Sequence, residues 1–382
     1  MVQKGVFPDF IVMNPGEKVS EEKRAWQGVP GIARTKGGRL FASWMSGGLF
    51  EPCLDNYNLL FKSDDNGNTW SAPIMAVYSD YKNMYRHIDM QLWVDEGNRL
   101  WVMWTKSPYN AASQKSSIRT PFVLDYMNEF HGVEALICND PDSDELIFES
   151  PRRICNGFLR NKPITRHNGD YVFPAYDWIH EDRYVLRISK DGGETFSDLL
   201  AAKKPKNKSF DETMAYESGN RLCMMARTEL GYYLESHSDD DGKTWSEPRE
   251  YQKAPCSRFY IGRLPGGQLV YVRNISDTER DGLKVCLSED DGESWPYELV
   301  IDTRENVSYP DLSEGDNGEL YIIYDRERNN NIKLNRETWH SDAAKEILLA
   351  KITVADIYNG SLGENSFTAR VISKAKIDFA ER

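Results

Sequence analysis

An eight-residue pattern occurs four times in this chain of 382 residues: Ser63–Trp70 (SDDNGNTW), Ser189–Phe196 (SKDGGETF), Ser238–Trp245 (SDDDGKTW) and Ser288–Trp295 (SEDDGESW). The last three copies begin 49 and 50 residues apart. A fixed period near 50 residues demands a repeat architecture, in which one supersecondary unit stacks on copies of itself. The residue types suit a hairpin turn. The Asp carboxylate accepts hydrogen bonds from turn amides. Gly supplies a positive φ, and the aromatic ring packs between neighbouring sheets.

A second repeat runs in step with the first. A small turn followed by an apolar strand appears six times, as GGRLFASW from Gly37, GNRLWVMW from Gly97, NGDYVFPAY from Asn168, GNRLCMMAR from Gly219, GGQLVYVR from Gly266 and NGELYIIYDR from Asn317. Turn residues followed by strand-like alternation read as hairpins. Six hairpins in this length leave roughly 50–70 residues per unit, which suits a four-stranded propeller blade. The expected fold is all-β, a six-bladed β-propeller of four-stranded antiparallel blades, with residues 1–382 forming one domain. The second unit, roughly 85–155, and the last lack the eight-residue pattern and read as modified blades. The ring is expected to close by pairing an end segment, Asp9–Met13 or Phe367–Ser373, with the last blade.

Charge narrows the function. The chain carries 47 basic and 60 acidic residues, a net charge of −13, and no long basic run, which argues against nucleic acid and anionic membranes as partners. No apolar stretch is long enough to span a bilayer. The start, MVQKGVFPDF, has no apolar signal core, so the expected location is cytoplasmic, or secreted if a leader has been removed. Six scattered cysteines (53, 138, 155, 223, 256 and 286) form no CxxC pair and read as buried thiols. The segments DDNG and DDDG look like the start of a calcium loop, but they run into Thr-Trp-Ser instead of ending on a bidentate Glu. No metal or cofactor is expected.

In a propeller blade the turn after the inner strand and the turn carrying the eight-residue pattern lie on one face. Loops after each second strand and the starts of the inner strands share the opposite face, the mouth. That rule gathers Glu51, Asp55, Arg86, Asp89, Lys162, Glu212, Arg227, Arg258, Arg280, Tyr309 and Asp311 at one opening, together with Trp178 and His180. Loops are polar in any case, so a single member carries little weight. Convergence on one mouth is the signal.

The eight-residue pattern resembles the Asp-box of sialidase-type propellers, and the likeness extends to single residues over essentially the whole chain. Phe210-Asp211-Glu212-Thr213, followed 15 residues after Glu212 by Arg227, is similar to the sialidase superfamily's catalytic Glu strand and its Arg. Arg280 resembles the Arg that precedes the late Asp-box strand, and Ser308-Tyr309-Pro310-Asp311 the strand that presents the nucleophilic Tyr. The resemblance implies hydrolysis of a terminal acidic sugar through a covalent bond to Tyr309. Glu212 would be the base that activates the phenol. Asp55 would be the acid, with Glu51 and Asp89 as alternatives. A free phenol, with a pKa of about 10, needs such a base.

One departure stands out. The superfamily opens with an Arg-Ile-Pro segment whose Arg completes a three-Arg clamp on the substrate carboxylate. Here the segment is Gln27-Gly28-Val29-Pro30, and the Arg position is Gly28. A Gln27 amide is a weaker, neutral substitute for a bidentate guanidinium. Arg86, Arg258 and Lys162 are candidates to compensate, with Asp89 and Asp311 as further substrate contacts. The expected partner is therefore an acidic carbohydrate other than common N-acetylneuraminate. Two other readings use the same residues: a propeller lyase acting on a uronate, and a binding propeller without catalysis.

Overall fold

Inner strands of the six repeats stand around one axis, and each begins an antiparallel sheet, five-stranded in the first blade and four-stranded in the other five. The computed structural model describes residues 5–48, 51–109, 131–177, 182–205, 212–326 and 345–377. The inner strands are Gln27–Arg34, Tyr85–Val94, Ile164–Thr165, Thr213–Ser218, Tyr260–Arg263 and Val307–Glu314. Each pairs with a second strand through the turn read from the sequence, and two further strands complete the blade. The fold is a six-bladed β-propeller.

Stacking of blades explains the sequence pattern. Second strands are sandwiched between neighbouring sheets, so both faces are buried; all seven residues of Leu40–Ser46 are buried. Apolar clusters accordingly form between blades. Trp93, Trp101 and Met103 of blade 2 meet Tyr171 and Phe173 of blade 3, and Tyr321 and Leu349 of blade 6 meet Trp44 and Leu59 of blade 1.

The four Asp-boxes share one hydrogen-bond plan. In blade 3 Asp191 Oδ1 accepts from Ser189 Oγ at 2.8 Å and Thr195 N at 2.9 Å, and Oδ2 accepts from Thr195 Oγ1 at 2.6 Å. These bonds hold Asp191, and likewise Asp240 and Asp290, down to a pKa of about 2. The carboxylates are occupied by their own turns. Gly193, at φ +90°, has its missing Cβ directed at the Trp101 ring of blade 2, so any side chain there would collide with the adjacent blade. Among the described residues no group of three or more His, Cys, Asp or Glu side chains is placed to hold a metal.

The two modified blades replace the box differently. In blade 2 the turn places Asp142 against Gly37 N and Asn98 Nδ2, tying blade 2 to blade 1. In blade 6 a short helix, α1 (Val354–Asn359), takes its place, with a capping box between Thr353 and Asp356.

Closure differs in part from the expectation. Phe367–Lys374 does pair within the last blade, as its fourth strand, whereas Ile11–Met13 adds a fifth strand to the outer edge of the first. The two ends then meet beyond the sheets, where Lys376 N donates to Glu21 O and Ile377 N to Arg24 O. Around the axis the ring is joined by side chains. Val29 N, Ile32 N and Arg34 N of blade 1 donate to Asp325, Asp311 and Ser313 of blade 6. All six cysteines are free thiols, and no helix of the described residues is long and apolar enough to cross a membrane.

Candidate active site

Three inner strands share an irregularity at the mouth. Pairing register shifts between Gly28 and Gly31, between Ile88 and Gln91, and between Ser308 and Asp311. Inside each bulge one non-glycine residue has a left-handed backbone: Val29 at φ +57°, Asp89 at +58° and Tyr309 at +57°. Such a conformation is strained for side chains of this size and persists where the surroundings impose it. A bulge also re-aims the side chain it carries. Blade 6 presents a phenol this way, blade 2 a carboxylate, and blade 1 only an isopropyl group.

The re-aimed phenol meets a charged cluster. Tyr309 Oη lies 3.0 Å from Glu212 Oε1 and 2.8 Å from Arg227 Nη1. Arg227 Nη1 is also 2.6 Å from Glu212 Oε2. A guanidinium can only donate, so Tyr309 accepts from Arg227 and its own proton points at Glu212. Arg280 lies over the Tyr309 ring at 5.3 Å and donates through Nη2 to Cys256 O. The Cys256 thiol accepts from Arg227 Nε at 3.2 Å, so one residue orients both arginines. Burial alone would weaken the charge on Arg227, but Glu212 and Tyr309 beside it raise its pKa well above the usual value.

The cluster is dry. Tyr309 and Glu212 are each 1% exposed. Trp26, Val29, Met45, Ile88, Phe158 and Tyr176 form an apolar group with the Tyr309 ring. Burial keeps the Tyr176 phenol protonated, with the carboxylates of Glu212 and Asp89 adding to the effect. In a site of low polarity each charge acts more strongly than in water.

The structure gathers some of the expected residues and not others. Glu212, Arg227, Arg280 and Tyr309 come together, and Asp89 joins them through Arg160. Arg86 stands beside the cluster, donating to Ser107 Oγ and Pro52 O; burial lowers its pKa to about 10, with the charge of Asp89 opposing that. Asp55 is exposed on the rim and accepts from Tyr81 Oη at 2.8 Å. Trp178 and His180 lie outside the described residues.

Lys162, Arg258 and Asp311 sit below the mouth, in a polar plug across the channel. Lys162 Nζ contacts Ile32 O, Leu312 O and Asp311 Oδ2. Arg258 donates to Asn161 Oδ1, Gln91 Oε1 and Pro30 O. With their donors spent on backbone and amide oxygens, these groups hold the blades together rather than facing the opening. Gln27 is fully buried and engaged with Lys345 O, Arg24 and Ser373 in the closure of the ring, so it does not stand in for the missing Arg. Beyond the plug, at the Asp-box face, lies a separate cavity of about 530 Å³ lined by Trp93, Lys162, Arg166, Tyr260 and Glu314.

The BNR repeat-like domain family matches residues 38–322. The chain belongs to this family. A curated relative, a sialidase of Bacteroides fragilis (strain YCH46), is 24% identical over 298 residues, covering 70% of this chain and 53% of its own length. The chain thus spans about half of that relative. Among solved structures the Hadza microbial sialidase Hz136 superposes with a TM-score of 0.64 at 20% identity, over 80% of this chain and 64% of its own. The intramolecular trans-sialidase of Ruminococcus gnavus, in complex with oseltamivir carboxylate, gives 0.65 at 14% identity, over 91% and 98%. At these identities the structural likeness shows the BNR propeller fold, while activity must be argued from this chain's own residues.

Sequence reasoning missed Arg160, Phe158, Tyr176 and Cys256. Blade 3 pairs over only two residues at its inner strand, Ile164–Thr165, and again at the isolated bridge Phe158–Tyr176 nearer the mouth. The segment that faces the site therefore begins before Lys162, the residue that the hairpin pattern puts at the mouth in this blade. Cys256 carried no signal beyond standing two residues before Arg258.

Proposed function

We propose that the protein is a sialidase-like glycoside hydrolase that removes a terminal acidic sugar through a covalent tyrosyl-glycosyl intermediate. The observation that carries this reading is the Tyr309 hydroxyl, held with its proton toward Glu212 and its lone pair toward Arg227. In the first step Tyr309 Oη attacks the anomeric carbon, its proton passes to Glu212, and the glycosidic bond breaks as Asp55 protonates the leaving oxygen. In the second, Asp55 takes a proton from water, the water oxygen attacks the anomeric carbon, the bond from that carbon to Tyr309 Oη breaks, and Glu212 returns its proton to the Tyr309 phenolate. A neutral nucleophile suits an anionic substrate, because a carboxylate nucleophile would repel it. Tyrosine nucleophiles are a recognised exception to the two-carboxylate scheme of glycosidases.

Charge supports the acidic sugar. Arg86, Arg160, Arg227 and Arg280 surround two carboxylates, Asp89 and Glu212. The surplus is positive in a chain that is strongly negative overall. Its arrangement favours a sugar other than N-acetylneuraminate. The blade 1 side of Tyr309, where the superfamily's first Arg would stand, is walled by Trp26, Val29 and Met45. Losing one charge-assisted hydrogen bond costs roughly 1.5–3 kcal/mol, or one to two decades in affinity. The test compares methylumbelliferyl sialoside with methylumbelliferyl glucuronide, galacturonide and a neutral galactoside. Faster turnover of a uronide or another acidic sugar supports the reading. Preference for the neutral galactoside contradicts it, and efficient sialoside cleavage shows that the blade 1 Arg is dispensable.

A further inference from the structure

Glu212 is gripped at both oxygens. Arg227 Nη1 holds Oε2 at 2.6 Å, and Arg160 Nη1 lies 3.3 Å from Oε1, the oxygen that accepts the Tyr309 proton. Arg160 is itself anchored, with Nη2 3.0 Å from Asp89 Oδ2. A single guanidinium of blade 3 thus spans a carboxylate of blade 2 and one of blade 4. We propose that Arg160 is the positioning residue of the base: it fixes Glu212 Oε1 opposite the Tyr309 hydroxyl and keeps Glu212 ionised, with Asp89 as its anchor. This rests on the reading of Glu212 as base to Tyr309.

The physical argument has two parts. A carboxylate held at one oxygen can turn about its last torsion, whereas one held at both keeps its plane. A carboxylate this deeply buried also tends to protonate, and a cation within hydrogen-bond range opposes that. Among the described residues, Arg160, Arg227, the Tyr309 hydroxyl and the Tyr176 phenol face Glu212, with Asp89 beyond Arg160. Asp89 accounts for its own strained backbone: at φ +58° the bulge carries its carboxylate to Arg160. The geometry of the fork is also why lysine is not equivalent, since an ammonium on a flexible stem does not clamp two carboxylates in a fixed plane.

The test is the pH dependence of kcat/KM for wild type, Arg160→Met, Arg160→Lys, Asp89→Asn and Tyr309→Phe. The probe is the methylumbelliferyl sialoside or uronide that wild type cleaves fastest. Loss of the cation raises the pKa of Glu212, so the acidic limb of Arg160→Met moves to higher pH by about one unit. Its kcat falls roughly 100-fold with KM changed only a few-fold. Arg160→Lys restores the limb but only part of kcat. Asp89→Asn lowers kcat without raising the limb, because it removes a negative charge. A wild-type limb and kcat in Arg160→Met overturns the proposal, as does a rise in KM with kcat spared, which would make Arg160 a substrate ligand. If Arg160→Met loses its cooperative melt, Arg160→Lys decides: full kcat in a folded Lys variant overturns the proposal. Inactive Tyr309→Phe beside wild-type Arg160 variants sinks this inference alone. A fully active Tyr309→Phe removes the reading of Glu212 on which it stands, and the inference with it.

Discussion

The backbone N–H of Val29 donates to Asp325 Oδ2 across 2.8 Å, joining the first blade to the last beside the proposed nucleophile. The other oxygen of Asp325 accepts from Ser308 Oγ at 2.9 Å, one residue before Tyr309. Asp325 is fully buried. One carboxylate therefore helps to close the ring and bonds to two of the three strained bulges. Asp325→Ala is expected to destabilise the protein by about 3 kcal/mol, the scale of hydrogen bonds to a buried charge. Urea unfolding measures this, and kcat should fall as well because the Tyr309 bulge loosens. Unchanged stability would show that the backbone and apolar contacts close the ring unaided.

Asp55 differs from the other candidates in being exposed and bonded to a rim tyrosine. If it protonates the leaving oxygen, its loss matters most where the leaving group is poor. Asp55→Asn should slow cleavage of a natural oligosaccharide by 100-fold or more, and that of an aryl glycoside much less. Equal losses on both substrates would assign Asp55 to binding. Asp89 is the weaker acid candidate on physical grounds, since its ion pair with Arg160 favours the ionised form.

The blades were legible because their cause is local. A Gly-containing turn followed by an apolar strand, as in Gly219–Arg227, makes a hairpin wherever it stands. Tyr309, Glu212, Arg227 and Arg280 were legible because strand starts and ends decide which face of a propeller a residue meets. Arg160 was not, because the short inner pairing of blade 3 displaces the mouth by residues that no hairpin signal marks. Lys162, Arg258 and Asp311 show the opposite error. Lys162 and Arg258 stand just before inner strands and Asp311 lies within one, but all three are buried, and both cations pair with the Asp311 carboxylate. Nor did composition reveal the bulges, since Val29 and Tyr309 are ordinary strand residues forced into a left-handed backbone by their neighbours.

Glu314 lines the cavity beyond the plug, and burial pushes its carboxyl up to about 7. A raised acid pKa means that the fold favours the protonated form. Stability from this group is thus intact below the unfolded pKa of about 4.3 and is lost as pH rises through about 7. The full loss is at most about 4 kcal/mol, reduced by solvent in the cavity. Glu314→Gln should therefore be more stable than wild type at pH 8 and similar at pH 4, by urea unfolding at each pH. The Asp-box carboxylates act in the opposite sense, with pKa values held near 2, and lose their contribution only as pH falls below about 4. A Glu314→Gln variant equal to wild type at pH 8 would show that the carboxylate is hydrated there.

The central claim is that Tyr309 forms the bond to the sugar. It is tested most directly by treating the protein with a glycosyl fluoride of the preferred acidic sugar that carries a second fluorine on the carbon next to the anomeric one, and mapping the labelled peptide by mass spectrometry. The fluorine beside the anomeric carbon slows breakdown of the intermediate more than the good leaving group slows its formation. The account predicts one added glycosyl group, on the peptide containing Tyr309 and absent from Tyr309→Phe. A label on Glu212, Asp55 or Asp89, or steady release of sugar by Tyr309→Phe at the wild-type rate, would contradict it.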